Sequence, residues 1–289
     1  MKVRYLLYNI VFYPLAMLPL CVLYLFTLPL YLILNYVVRY RKKVIISNLR
    51  NSFPEKADKE IRQLCNKYYL HLSQIAVEMI KMLLLRPGQL KRRYRCQNPE
   101  LADRFFRQGR SVILMSSHYN NWEWMILALD QMFGQHGVGV GKANTDKAFE
   151  RMVNRARTRY GTEVVFADTV RETFERYERN HHPAAYMMLS DQSPNSSSRC
   201  YVTEFLHQKT GVIFGAEHFA RKYNIPVLYY EVIKERPGFY SVYLELIAEN
   251  PVEMDEYAVT QRYVEMLEQT ICRKPQYWLW SHRRWKFKF

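Results

Sequence analysis

The chain has 289 residues, which is enough for one sizeable domain with an appendage but too few for two ordinary domains. Its formal net charge of +15 and its isoelectric point near 9.5 predict an anionic partner, such as an acidic membrane surface, an acidic protein or nucleic acid. The five cysteines are scattered without close pairs or metal-ligand spacing, which argues against a disulfide framework and a metal site and favours the reducing cytoplasm.

The N-terminal part of the chain carries an uncharged run over residues 5–38. As one straight helix it would be roughly 50 Å long, which exceeds the hydrocarbon core of a bilayer. Prolines at positions 14, 19 and 29 interrupt it, so we expect either a kinked transmembrane helix with interfacial ends or a re-entrant hairpin. A cleaved signal peptide fits less well, because the run is too long and has no Ala-x-Ala type site. More basic residues follow the run than precede it, which places the following side in the cytoplasm.

We therefore expect residues 1–45 to form a membrane segment and residues 46–289 to form one α/β domain. Apolar residues at helical spacing over 57–85 predict a long helix that covers the core. A basic cluster follows that fits a solvated face, or a contact for lipid phosphates or an acidic carrier protein; it comprises Lys91, Arg92, Arg93 and Arg95.

The segment 111–130 predicts a buried strand, a loop and a helix in succession. His118 falls on the loop, two asparagines suit the helix start, and Glu123 lies in the first helical turn, where the helix dipole favours a carboxylate. We predict that Glu123 folds back towards His118, because a neutral imidazole held by a carboxylate is a positioned general base for a hydroxyl. Such a pair also arises by chance among surface residues, but the end of a strand in an open α/β sheet is where reactive groups gather.

Strands and helices alternate over the rest of the chain, which predicts an α/β fold with a mostly parallel central sheet and helices on both faces. Further strands are predicted at 138–140, 164–167, 184–189, 201–206, 227–233 and 240–247. Helices are predicted at 145–160, from Thr169 with a capping box, at 212–223 and at 255–271. The strand 184–189 ends just before Asp191 and Gln192.

From about residue 111 to the C-terminus, the chain resembles the late acyltransferases of lipid A biosynthesis, within the lysophospholipid acyltransferase superfamily. His118, four intervening residues and Glu123 resemble the signature of glycerolipid and lipid A acyltransferases. Further matching residues are Lys142, Asn144, Arg157, Asp191, Gln192, Gly215, Ala220, Arg221, Gln276, Tyr277, Trp280, His282, Arg283, Arg284 and Lys286.

This resemblance implies a membrane-bound O-acyltransferase of lipopolysaccharide biosynthesis, on the cytoplasmic side of the cell inner membrane. The acyl donor would be acyl carrier protein, less surely coenzyme A, and the acceptor a hydroxyl of a lipid A precursor. His118 and Glu123 would be catalytic, with no metal or other cofactor required, and no nucleic acid is expected as a partner. The substrate-binding residues would be Lys142, Asn144, Arg157, Asp191, Gln192, His282, Arg283 and Arg284.

Two details refine this expectation. No Gly-x-Ser-x-Gly nucleophile elbow is present, which favours direct attack by the acceptor over an acyl-enzyme. Candidate oxyanion donors are backbone N–H groups near residues 120–122, or Lys142. The family usually has arginine at the position of Lys142, and lysine keeps the charge but loses the planar fork that binds phosphate in a bidentate manner.

Two alternatives remain open at this point. The same chemistry could act on another acceptor, such as a lysophospholipid or an aminoacyl lipid. In a different class, the chain could be a non-catalytic basic membrane protein that binds anionic lipid or nucleic acid.

Overall fold

The computed structural model describes residues 2–289, and its centre is a seven-stranded sheet. The strands in chain order are β1 (Tyr94–Cys96), β2 (Val112–Ser116), β3 (His136–Gly141), β4 (Glu163–Phe166), β5 (Ala184–Leu189), β6 (Tyr201–Phe205), β7 (Gln208–Val212), β8 (Val227–Arg236) and β9 (Phe239–Ala248). The sheet order is β1-β9-β8-β2-β5-β3-β4, while β6 and β7 form a separate hairpin. Only β8 and β9 pair antiparallel within the large sheet, which confirms the predicted mostly parallel arrangement.

Helices cover both faces of this sheet. In chain order they are α1 (Lys2–Met17), α2 (Leu20–Leu23), α3 (Thr27–Leu32), α4 (Lys42–Ser52), α5 (Asp58–Met82), α6 (Pro87–Arg93), α7 (Glu100–Arg107), α8 (Trp122–Met132), α9 (Lys147–Arg157), α10 (Val170–Arg179), α11 (Gly215–Tyr223) and α12 (Ala258–Arg273). Single 3₁₀ turns lie at Tyr24–Phe26, Pro251–Glu253 and Pro275–Tyr277, and a π-helical turn lies at Ile33–Val37.

The central strand β2 explains why the core has two halves. All five of its residues are buried, and successive side chains point to opposite faces of the sheet. Ile113 and Met115 join a cluster that includes α11 and α12, whereas Val112 and Leu114 join a cluster that includes α8. A strand that is buried on both faces must be apolar throughout, and this produces the continuous apolar run seen in the sequence.

Several predicted elements differ from the observed ones. Thr169 does not cap α10 through its side chain; its hydroxyl donates to the Phe166 carbonyl instead. The helix predicted over 212–223 begins only at Gly215, because Val212 ends the β6–β7 hairpin. The short strand β1 was not predicted, since its three residues follow a run of charge and carry no alternating pattern.

The N-terminal apolar run is helical but interrupted. Pro14 is accommodated within α1, whereas the chain breaks at Pro19, where α2 begins. The window Leu20–Val37 is long and apolar enough to be a membrane-span candidate. Tyr24–Phe26 and Ile33–Val37 depart from α-helical geometry within this window, so the segment is not one regular helix.

Candidate active site

The pairing of β2 with β5 assembles the candidate site. These neighbouring parallel strands pair Ser116 with Leu189, and the Ser190 N–H then donates to the Ser116 carbonyl. Continuing this register by two residues beyond each strand places His118 opposite Asp191. Both residues therefore emerge at the carboxyl edge of the sheet, where α/β proteins commonly bind ligands.

His118 and Asp191 form a close hydrogen-bonded pair. The His118 Nδ1 atom lies 2.8 Å from Asp191 Oδ1, and the His118 backbone N–H donates to Asp191 Oδ2 at 3.0 Å. The His118 side chain is 19% exposed and that of Asp191 only 2%. A buried carboxylate that accepts the Nδ1 proton fixes the imidazole in the tautomer whose Nε2 can accept a proton.

A tryptophan from the C-terminal segment completes the environment of Asp191. The Trp278 indole N–H donates to Asp191 Oδ2 at 2.9 Å. Burial by itself raises the pKa of Asp191, but the charge of His118 and the hydrogen bonds from His118 and Trp278 outweigh it and hold this pKa below its ordinary value. Asp191 is therefore an ionised partner for His118 at neutral pH.

Gln192 contacts the opposite nitrogen of the imidazole. Its Nε2 lies 3.2 Å from His118 Nε2. The Trp122 ring also packs beside the His118 imidazole, and the centroids of these two rings are 5.5 Å apart. A substrate hydroxyl that approached Nε2 would displace this amide, so Gln192 marks the place where an acceptor could bind.

The predicted hydrogen bond between Glu123 and His118 is not made, and this prediction is wrong. Glu123 does lie in the first turn of α8, but both of its carboxylate oxygens bind Arg157 in a bidentate pair, at 2.7 and 2.9 Å. The Glu123 side chain is 6% exposed, so its charge needs a partner, and the end of α9 supplies one. The pair fixes the start of α8 against α9, while Asp191 takes the place expected for Glu123 beside His118.

The start of α8 is held by buried polar contacts. Asn121 caps the helix through a hydrogen bond that its side chain accepts from the Trp124 N–H, and it donates to Glu78 Oε2. Asn120 has a left-handed backbone, with φ of 57°, and its N–H donates to the Tyr277 carbonyl. Because the N–H group of Asn120 already donates to the Tyr277 carbonyl, the backbone N–H groups expected as oxyanion donors narrow to those of residues 121 and 122.

The C-terminal segment brings cationic and titratable groups to the same edge. His282 Nε2 accepts a hydrogen bond from the Ser193 N–H at 3.2 Å, and burial lowers the pKa of His282 to about 4. Arg284 donates to the Thr210 hydroxyl at 2.8 Å and is 2% exposed; burial lowers its pKa to about 10, although Asp191 acts in the opposite direction. Asp191 makes no hydrogen bond to Arg284, because its carboxylate binds His118 and Trp278.

Lys142 and Asn144 lie farther out, beyond the end of β3. Lys142 is exposed, and its amine lies 3.4 Å from Asn195 Oδ1 in the loop that follows Asp191. Asn144 accepts a hydrogen bond from the Asp146 N–H, and its own N–H donates to Glu150. Through these two hydrogen bonds Asn144 organises the turn before α9. Neither Lys142 nor Asn144 makes a hydrogen bond to His118 in the part of the chain that the structure describes.

Comparison with known protein families decides which family the chain belongs to. The family described as bacterial lipid A biosynthesis acyltransferase matches residues 1–287. The chain belongs to this family. It is therefore an acyltransferase, and the match includes the N-terminal apolar run as well as the residues that first indicated the resemblance. No curated protein was found to match the chain.

A basic groove of about 860 Å³ lies beside the candidate active site. Its charged side chains are all cationic: Arg39, Arg41, Lys42, Lys43, Arg50 and Arg283. The Arg41 guanidinium donates to the Ser281 carbonyl at 3.0 Å, next to His282. Arg283 thus lies in this groove and not against His118, while its neighbour His282 contacts the loop that carries Asp191 and Gln192.

Two residues of the candidate site escaped sequence reasoning. Trp278 stands in a C-terminal stretch rich in aromatic residues, where nothing distinguishes it from a core tryptophan. Glu78 is fully buried and accepts hydrogen bonds from Tyr24, Asn121, Tyr240 and the Gly238 N–H. The sequence does carry a signal for Glu78: a carboxylate on the apolar face of a long helix is buried, and a buried carboxylate requires hydrogen-bond partners. Among residues 2–289, no cluster of three or more His, Cys, Asp or Glu side chains is arranged to hold a metal.

Proposed function

We propose that this acyltransferase moves a fatty acyl chain from the thioester of acyl carrier protein to a hydroxyl of a lipid A precursor. The observation that carries the proposal is the 2.8 Å contact between His118 Nδ1 and Asp191 Oδ1, which leaves His118 Nε2 directed away from the carboxylate. Coenzyme A thioesters are the second candidate donor. The reaction takes place on the cytoplasmic side of the cell inner membrane.

His118 acts as the general base of this reaction. The acceptor hydroxyl displaces the Gln192 amide and gives its proton to Nε2, while its oxygen attacks the thioester carbonyl carbon. Asp191 stabilises the imidazolium that forms, without taking up the proton itself. The tetrahedral intermediate then collapses, the carbon–sulfur bond breaks, and the thiolate recovers the proton from Nε2. The products are an ester and a free carrier thiol.

Glu123 contributes indirectly, through Arg157. The bidentate pair holds the first turn of α8. In this proposal, the backbone N–H groups of residues 121 and 122 donate to the carbonyl oxygen as it becomes negatively charged. We assign Glu123 and Arg157 as positioning residues, because all the contacts described for them are with each other and with Asn154. This differs from the expectation that Glu123 orients His118.

The basic groove supports an anionic lipid as the acceptor. Six cationic side chains and no acidic residue line it; Arg50 pairs with Asp58 outside the groove, and the excess of positive charge that remains favours phosphate groups. Arg41 links the groove to the segment that carries His282, so a phosphorylated headgroup bound there would present a neighbouring hydroxyl to His118. Lys142 and Asn144 would then contact the donor side, from the end of β3.

The decisive experiment is transfer by purified enzyme from acyl carrier protein to a set of acceptors. His118→Ala should abolish acylation of the lipid A precursor, while His218→Ala on the exposed face of α11 should not. His218→Ala should retain the wild-type melting temperature, whereas His118→Ala should melt at a somewhat lower temperature but remain folded under assay conditions, because it leaves the buried Asp191 with one hydrogen bond fewer. Turnover by His118→Ala would remove the base from the mechanism. Faster acylation of a lysophospholipid or an aminoacyl lipid would leave the chemistry intact and replace the acceptor.

The groove is tested separately. The triple variant Arg39→Gln, Lys43→Gln and Arg283→Gln should raise KM for a phosphorylated acceptor at least about tenfold, since each lost charged contact is worth about 1.5–3 kcal/mol. The change in kcat should be small. A matched variant replaces three exposed basic residues elsewhere, Arg62, Lys67 and Arg107, by glutamine. Equal effects of the two triple variants would show that net charge, and not the groove, governs acceptor binding.

A further inference from the structure

The N-terminal apolar run begins and ends against the same globular domain. At its start, the Tyr8 hydroxyl donates to Asp146 at 2.8 Å, and the Arg151 guanidinium lies 5.0 Å from the centre of the Tyr5 ring. At its end, Asn35 donates to Asn66 at 2.9 Å, and the Tyr69 hydroxyl donates to the Tyr40 carbonyl at 2.8 Å. A segment that crossed a bilayer once would have its two ends on opposite sides.

Between these ends the run lies flat along α5. The Lys81 amine donates to the carbonyls of Ala16 and Leu18, and the Tyr24 hydroxyl donates to Glu78. As the run advances from residue 16 to residue 35, its partner on α5 therefore moves back from Lys81 to Asn66. The fifteen residue-to-residue steps between Asn66 and Lys81 span roughly 22 Å along α5, so the run follows the surface of the domain and does not project from it.

The outer face of the run is apolar and unusually exposed. Within the described chain, fourteen of the twenty large exposed hydrophobic side chains lie between Val3 and Val38, and Val37 is 75% exposed. In α1 the exposed residues recur at helical spacing, which forms one stripe. We call this surface the N-terminal apolar face; it comprises Val3, Leu6, Leu7, Ile10, Val11, Met17, Leu25, Phe26, Leu28, Leu32, Ile33, Tyr36, Val37 and Val38.

Charges border this face but do not interrupt it. No charged residue occurs from Tyr5 to Val38, whereas exposed basic residues lie at both ends: Lys2, Arg4, Arg39, Arg41 and Lys43. Cations at both ends suit one anionic membrane surface, because lipid phosphates attract them at the depth where the apolar face enters the acyl chains. On α5, by contrast, Arg62 and Lys67 are exposed and would be costly within a hydrocarbon core.

We propose that residues 2–38 do not cross the membrane, and that the N-terminal apolar face instead inserts sideways into one leaflet. Both ends of the run then lie on the side that carries the catalytic domain. The proposal holds whatever the acceptor is, because it depends on the contacts of the run with α5 and α9 and not on the proposed reaction. The bilayer then faces the side of the domain that also carries the basic groove, whose first residue is Arg39.

Cysteine labelling tests the topology. In a background with Cys21, Cys96, Cys200 and Cys272 replaced by serine and the buried Cys65 retained, Lys2→Cys and Lys288→Cys are made singly. Both positions are exposed, and Lys288 reports the side on which the domain lies. A membrane-impermeant maleimide should modify both variants from the same side of inner-membrane vesicles. Modification of Lys2→Cys only from the opposite side, or from neither side, would overturn the proposal.

Cross-linking in native membranes gives an independent test. The rings of Tyr8 and Phe149 are 5.9 Å apart, so Tyr8→Cys combined with Phe149→Cys should be joined by a short bifunctional maleimide, which spans a larger gap than a disulfide does. Tyr8→Cys combined with Arg107→Cys serves as the control and should not react. Absence of the first cross-link in membrane-bound protein of wild-type melting temperature would show that α1 leaves the domain when the protein binds lipid, and it would refute the in-plane arrangement.

Discussion

Replacing Asp191 by asparagine removes one charge from the site while it keeps nearly the same shape. In the wild type, Asp191 Oδ2 accepts from the His118 backbone N–H and from Trp278, while Oδ1 faces His118 Nδ1. The asparagine oxygen can replace Oδ2 and keep two of these three hydrogen bonds. Its amide N–H₂ then points at Nδ1, which must become an acceptor.

This change moves the imidazole proton to Nε2, where the proposed mechanism needs an unprotonated nitrogen. The loss of the correct tautomer, together with the loss of charge beside the imidazolium, is expected to lower kcat about 10³- to 10⁴-fold. The fold should be affected much less. One exchanged hydrogen bond to a charged group costs about 1.5–3 kcal/mol, so Asp191→Asn should unfold at a somewhat lower temperature but remain folded under assay conditions.

The assay measures kcat with saturating acyl carrier protein donor and lipid acceptor, beside circular dichroism melting of the same preparation. A matched change is Asp255→Asn, at an exposed carboxylate away from the site, which should leave kcat unchanged. If Asp191→Asn kept activity within tenfold of wild type, Asp191 would not orient the base. The 2.8 Å contact would then be structural, and the reasoning from register to mechanism would fail.

Three further predictions follow from the contacts of the site. Glu123→Gln should lower the free energy of unfolding by about 1–3 kcal/mol and reduce kcat. The double variant Glu123→Gln with Arg157→Gln should regain stability but not turnover. If the double variant also regained turnover, the pair would be only a structural support. Burial lowers the pKa of His282 from 6.5 to about 4, so the unfolded chain protonates this histidine at a higher pH than the folded chain does. The free energy of unfolding should therefore fall as the pH falls from about 6.5 to 4. His282→Gln should flatten this part of a urea-denaturation series, and an unchanged slope would contradict the assignment. Asn121→Ala should cost about 1 kcal/mol in the same assay and Asn121→Ser less, since serine also caps helices; equal losses would show that the contact with Glu78 dominates.

The groove and the flat N-terminal run together indicate how a lipid could reach His118. The apolar face would lie among acyl chains, while Arg39 and Arg41 at the end of the run would lie at the level of the headgroups. Arg41 also contacts the Ser281 carbonyl, beside His282. A lipid phosphate bound in the groove would therefore lie between the membrane surface and the proposed base.

Local patterns in the sequence determined the strand–loop–helix unit around His118. About twenty residues contain all the local signals of this unit: an apolar strand, two serines, a capping asparagine and a first-turn carboxylate. These signals predicted β2, the loop and α8 correctly. The class of sheet followed from the alternation of strands and helices, and residues that match a known motif pointed to the acyltransferase family. These features depend on neighbours along the chain, which periodicity reports directly.

The partner of His118 was decided only by the tertiary structure. Glu123 is five residues away, but the helix start turns its carboxylate towards Arg157, whereas Asp191 is 73 residues away and is brought alongside by the register of β5 on β2. The direction of the N-terminal run was decided in the same way, by Lys81, Glu78 and Asn66 on α5. Composition shows that a segment is apolar, but which of its faces stays uncovered, and which acid reaches a base, depends on packing between distant parts of the chain.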